Sequence, residues 1–171
     1  RSDPFPNWKF EDFSGYDITR EKPCDGSPED IHASIARNGD TSLFAWVVQN
    51  YPHGWLTCDD GPGEIADFIH LAPNGDLSLI HVKAAQSKGI SRRLAVGVYE
   101  VVTSQATKNL NYLNLEALGN RLASSPLRNP ASWVAGVRVA DRTEFLEMLQ
   151  YRGAREKKAV VIVQPHVSQP M

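Results

Sequence analysis

Apolar and polar positions recur with different periods along this chain, and the period names the element. Ser27-Pro28-Glu29-Asp30 opens a helix, with Ser27 as N-cap and Pro28 at the first helical position. Ile31, Ile35 and Ala36 form its inward face, and Asn38-Gly39 ends it. Residues 41–50 are apolar nearly throughout (Leu43, Phe44, Trp46, Val47, Val48) and read as a buried helix. Tyr51-Pro52-His53-Gly54 breaks that run, and Trp55–Cys58 is a first short strand. Two apolar runs, 66–72 and 77–82, flank Pro73-Asn74-Gly75-Asp76. Asn-Gly between such runs is a strong hairpin signal, so these are strands two and three. After a loop over 84–94, Val98, Val101, Val102, Ala106, Leu110 and Leu113 repeat at helical spacing and predict one long helix over roughly 96–118. Residues 119–131, with Pro126 and Pro130, form a connector. Residues 132–139 place Trp133, Ala135, Val137 and Val139 at alternate positions, which predicts one strand with these side chains inward. Asp141 caps a helix carrying Phe145, Met148 and Leu149. The run 159–163 is apolar throughout, as in a strand that is central or covered on both faces. Helices interleaved with strands in this order predict an α/β arrangement, a mixed central sheet flanked by helices.

The hairpin carries the chemistry. Asp67 sits inside the first apolar run, and the returning run ends His81-Val82-Lys83. A tight turn therefore brings Asp67 back beside His81 and Lys83, which share one face because they lie two apart on a strand. Phosphodiester hydrolysis needs a divalent cation held by hard oxygen ligands, and a lysine to stabilise the developing charge or orient the water. Asp67 offers the first oxygen, the carbonyl of Val82 a second, and Glu64 a third if the loop before the hairpin folds it back. Lys88, Arg92 and Arg93 make a basic loop suited to phosphate contacts. Asp59 and Asp60 read as turn caps. Trp46, Trp55 and Trp133 read as core. Cys24, His32, His53 and Cys58 follow no compact zinc-binding spacing.

Composition changes the picture little. The 171 residues suit one domain, with 42% hydrophobic and 22% charged residues and a formal net charge of -2. No global basic field announces a nucleic-acid partner, so such a surface has to be local. Two cysteines are too few for a disulfide framework, which points to a reducing, cytoplasmic setting. No apolar run is long enough to span a bilayer, and no secretory leader opens the chain, so no membrane partner is expected. A start at Arg-Ser-Asp without Met suggests an excised piece or one domain of a larger protein.

Asp67 followed by His81-Val82-Lys83 across a hairpin resembles the PD-(D/E)xK restriction-endonuclease-like superfamily, and the fourteen-residue gap fits its strand-turn-strand. Gln105-Ala106-Thr107-Lys108 resembles the QAxK element of Mrr-like members. The wider stretch is similar to nuclease modules attached to bacterial helicase-like and defence proteins. The resemblance covers about residues 40 to 165. It implies an αβββαβ core with a mixed central sheet, residues 1–40 as an N-terminal extension packed on it, and 41–171 as the nuclease domain. It further implies a Mg²⁺- or Mn²⁺-dependent DNA endonuclease in phage defence, restriction or DNA processing, with a helicase-like or other fused domain and a homodimer as partners. Asp67, His81, Val82 and Glu64 would hold metal; Lys83 would act at the water and scissile phosphate; Gln105 and Lys108 would line the site. One departure stands out. The second acidic position of the family falls on His81, and imidazole suits zinc, copper or iron better than magnesium. That either shifts metal preference towards manganese or marks a catalytically inactive domain that binds nucleic acid or docks a partner.

Overall fold

The computed structural model describes residues 11–89, 96–127, 129–151 and 156–165. Helices α1 (Pro28–Ser34) and α2 (Leu43–Asn50) lead into strands β1 (Trp55–Cys58), β2 (Phe68–Leu71) and β3 (Leu77–Val82). Then come α3 (Val96–Lys108), a 3₁₀ segment (Asn109–Leu113), α4 (Leu115–Ala123), β4 (Ser132–Val134), β5 (Val137–Val139), α5 (Thr143–Gln150) and β6 (Lys158–Val163). The strands form one six-stranded mixed sheet ordered β5-β4-β1-β2-β3-β6. Every neighbouring pair is antiparallel except β3 and β6, which run parallel. Parallel neighbours need a long crossover, and the helices α3 to α5 lie within it.

Two apolar clusters cover the two faces. On one, Ile31 and Ile35 of α1 and Leu43, Phe44, Trp46 and Val47 of α2 pack on Leu56, Phe68, Ile80, Val82 and Trp133. On the other, Leu118 and Leu122 of α4 and Phe145 and Leu149 of α5 pack on Ile69, Leu71, Leu77 and Leu79. Alternation along β2 and β3 assigns odd and even positions to opposite faces, which is the period-two rule at work. All three tryptophans named above are buried. Phe13 stacks on Trp46 at 4.7 Å, and the Trp46 indole N–H donates to the Asp12 carbonyl.

Local chemistry explains the boundaries. Ser27 and Asp30 form a reciprocal capping box at the start of α1. The helix stops before Asn38-Gly39: Ala36 takes φ 55°, and its N–H donates to Asp40. Ala36 is therefore exposed, not inward. The hairpin loop between β2 and β3 closes with Gly75 N–H to the Ala72 carbonyl and Ala72 N–H to the Asp76 carbonyl, both 2.9 Å. Gly75 supplies φ 89° there, the left-handed residue that follows the turn.

Five further expectations are corrected. The long helix breaks after Lys108, because Asn109 turns its side chain to the Ile65 carbonyl and Asn114 caps a new helix by accepting from the N–H groups of Glu116 and Ala117. Among the described side chains of α3, Val102 and Ala106, four apart, are buried, while Val101, and Leu110 in the 3₁₀ segment beyond, face out. The strand expected over 132–139 is a hairpin instead. Ala135 and Gly136 both take positive φ (47° and 77°), the requirement of a two-residue type I′ turn, and Val137 ends 67% exposed. In α5, Met148 is exposed, Phe145 and Leu149 are buried and Leu146 packs partly buried beside them; Asp141 does accept the Thr143 N–H. Finally, β6 is an edge strand with Ile162 38% exposed, so its apolar run reflects neither a central place nor two covered faces.

Candidate metal centre

Residues 59–67 connect β1 to β2, and contacts within the loop and from the surrounding helices shape them. The Asp59 carboxylate accepts the Ile65 N–H at 3.1 Å, and the Asp59 N–H donates to the Asp67 carbonyl at 3.0 Å, closing the loop on itself. Asp59 also meets Arg142 at 3.3 Å, and both are buried. Arg142 continues to the Leu122 carbonyl at 2.6 Å, tying the loop to α4 and to the start of α5. Asn109 and Arg121 hold loop carbonyls from the crossover side. From α1, His32 completes the frame. Its Nδ1 accepts the Ala131 N–H, so the proton sits on Nε2, which donates to the Asp60 carbonyl at 2.8 Å. Burial lowers the pKa of His32 and keeps the ring neutral.

Inside this frame the carboxylates of Asp60, Glu64 and Asp67 converge, with one oxygen from each lying within 4.8 Å of the others. Asp60 and Asp67 are buried and Glu64 half-buried. Asp67 accepts the Val82 N–H at 2.7 Å. Its pKa is raised well above the usual carboxylate range, first by burial and then by the neighbouring charge of Glu64. Burial also raises Glu64. Like charges this close oppose one another's ionisation, so Glu64 and Asp67 hold their protons to higher pH than exposed acids do. The counter-charge present is Lys22, whose ammonium lies 2.6 Å from Asp60. Among the described residues this is the group able to hold a metal ion, and hard oxygen donors suit magnesium, calcium or manganese. Cys24, His32, His53 and Cys58 do not converge.

The residues expected at the site fare differently. Asp67 and Glu64 meet, because the loop does fold Glu64 back. Val82 meets Asp67 through its N–H; a residue's N–H and C=O leave a strand on the same side, so its carbonyl also faces β2. His81 stands opposite Asp67 if the β2–β3 register, Phe68 to Ile80, is continued by one residue. Its ring is nonetheless outside the carboxylate group: it is buried, Nε2 has no hydrogen-bond partner, and burial alone lowers its pKa. Lys83 pairs with Glu21 at 2.9 Å. Gln105 and Lys108 are exposed on α3. Lys88 is 65% exposed and pairs with Asp17 at 2.8 Å. Arg92 and Arg93 lie outside the described residues.

Three participants escaped the sequence reading. Asp60 looked like a turn cap, yet the cap is Asp59 and Asp60 faces the site. Its spacing of four from Glu64 in a Gly/Pro loop was the available signal. Glu21 and Lys22 come from a segment far away in sequence, and nothing local marks them. Comparison with family models, curated proteins and solved structures finds no match to this chain.

Proposed function

We propose that this chain is a Mg²⁺- or Mn²⁺-dependent nuclease domain acting on DNA, built on a restriction-endonuclease-like core. The observation that carries the reading is the convergence of Asp60, Glu64 and Asp67 at the end of a hairpin whose last strand runs into Lys83. Helix α2, the antiparallel strands β1 to β3, helix α3 and, with α4, the β4–β5 hairpin and α5 between, strand β6 parallel to β3 follow the αβββαβ order, which supports the fold assignment. Asp60, Glu64 and Asp67 would hold the cation, and the Val82 N–H orients Asp67 for it. The bound cation supplies a water of lowered pKa and charge neutralisation at the phosphate. Lys83, released from Glu21, stabilises the charge developing on the phosphate oxygens, and Lys88 contacts a flanking phosphate. DNA, a fused helicase-like domain, a second copy for cutting both strands, and a role in defence or DNA processing all belong to this proposal.

Plasmid, linear duplex and single-stranded DNA incubated with Mg²⁺ or Mn²⁺ test it. Cleavage by the wild type and its loss in Asp67→Asn and Lys83→Ala are expected. No cleavage with either metal, or equal cleavage by the variants, overturns it. A second reading, a nuclease-fold domain that binds nucleic acid or a partner without cutting, is favoured by His81, a neutral imidazole where the family pattern has an acid. Duplex binding that falls with salt but survives Asp67→Asn, with no metal uptake, would establish that reading instead.

A further inference from the structure

Segment 17–22 reaches the proposed site at three points, each an ion pair of opposite sense to the group it meets. Lys22 contacts Asp60 at 2.6 Å, Glu21 contacts Lys83 at 2.9 Å, and Asp17 contacts Lys88 at 2.8 Å. The partners are separated by 38, 62 and 71 positions in sequence, so tertiary folding and not local helix geometry brings them together. Backbone bonds anchor the segment on both sides: Ala85 N–H to the Ile18 carbonyl, Leu43 N–H to Arg20, and Phe44 N–H to Glu21. With the main chain fixed to the start of α2 and to the loop after β3, the side chains are the parts free to give way. The Lys22 ammonium also lies 5.9 Å from the centre of the Phe44 ring.

We propose that residues 17–22 are a built-in stand-in for substrate and metal, which must be displaced before either enters. Glu21 presents to Lys83, and Asp17 to Lys88, the charge and acceptor oxygens that a DNA phosphate would present. Lys22 presents to Asp60 the positive charge that a divalent cation would bring. Lys22 thus partly neutralises the carboxylate group. The inference rests on the nuclease reading, and it is opposite in sign to a role for Glu21 in orienting Lys83, since a positioning residue would make its own loss harmful.

Four variants of the chain test it. Calorimetric titration with Mn²⁺ alone compares wild type, Lys22→Gln and the charge-keeping Lys22→Arg. Fluorescence anisotropy of a short labelled DNA duplex at low salt compares wild type with Glu21→Gln. Each neutral variant binds its own ligand about fivefold tighter, the size a half-buried ion pair supports, while Lys22→Arg stays at the wild-type affinity. Asp17→Asn, at the exposed rim, tightens duplex binding in the same direction but less, and it serves if Glu21→Gln melts early. If wild type binds Mn²⁺ and duplex but either neutral variant binds equally or more weakly, the stand-in role is wrong and the site reading survives. If neither wild type nor Lys22→Gln takes up Mn²⁺, the site reading and this inference fall together.

Discussion

Replacing Arg142 by Met removes the charge that holds the site loop to the helical layer. Arg142 is 6% exposed and its partner Asp59 4%, so water cannot take over when the guanidinium goes. Two acceptors lose a donor, Asp59 at 3.3 Å and the Leu122 carbonyl at 2.6 Å; the Asp59 carboxylate retains the Ile65 N–H. Breaking a buried pair from one side costs about 3–5 kcal/mol, mainly because a buried charge is left uncompensated. For a chain of 171 residues, at roughly 2–4 °C per kcal/mol, melting falls by about 6–20 °C. Burial already raises the pKa of Asp59, against the pull of Ile65 and Arg142. Without Arg142 that pKa rises further, so the variant's deficit shrinks as pH falls and Asp59 takes up a proton. Urea unfolding at several pH values, followed by circular dichroism, measures this. Asp59→Asn/Arg142→Met, with no charge left to strand, loses less than Arg142→Met alone. A deficit under about 1 kcal/mol for the single variant, or a double variant that is worse than it, refutes the claim that the pair is buried and unsupported otherwise.

Asp67→Asn keeps an oxygen for the Val82 N–H and removes the charge. A carboxylate raised in the fold contributes stability that is present below its unfolded pKa and lost as pH rises towards the folded value. The variant therefore matches wild type at acid pH and gains on it towards neutrality. His32, His70 and His81, lowered by burial, destabilise both proteins below pH about 6.5 and cancel in the difference. A melting-temperature difference that is flat with pH would count against the raised Asp67. Mn²⁺ at a hundred times its Kd should stabilise wild type by about 2.7 kcal/mol, or roughly 5–10 °C, and leave Asp67→Asn nearly unmoved. Equal shifts would place the ion elsewhere. Ala135→Asn creates Asn-Gly at a turn where Ala holds φ 47°, and should raise stability by up to about 1 kcal/mol, since Asn tolerates that region better. A loss of stability on thermal melting would show that the turn has another geometry.

Sequence periodicity located the hairpin because its signals are local: two apolar runs and Pro-Asn-Gly-Asp between them. The same logic merged β4 with β5, since Trp133, Val137 and Val139 keep one parity straight through a two-residue turn and only Gly136 hints at it. It also ran α3 into α4, since apolar spacing says nothing of Asn109 leaving the helix to bond Ile65. Edge or centre was not legible for β6, because a short apolar run looks alike in both places. Asp67 was legible at the site because an acid inside an apolar strand needs a partner.

Those misses have a common physical form, and it bears on how the site works. Every group that escaped the sequence reading (Asp60, Glu21, Lys22) is defined by a partner at least 38 positions away or by a loop pinned from several helices. Local chemistry builds the hairpin, which delivers Asp67 to the end of the sheet. Long-range contacts decide which other charges meet it. His81 shows the difference most clearly: pairing register puts it opposite Asp67, yet its ring is buried without a partner, and Asp60 and Glu64 supply the carboxylates instead. The carboxylates beside Asp67 thus come from the loop before β2 and not from β3, so a histidine at position 81 does not leave the group short of oxygen ligands. On this geometry His81→Glu should give no gain in metal affinity, and Glu64→Gln should remove it; the reverse pair of results would return the second ligand to β3.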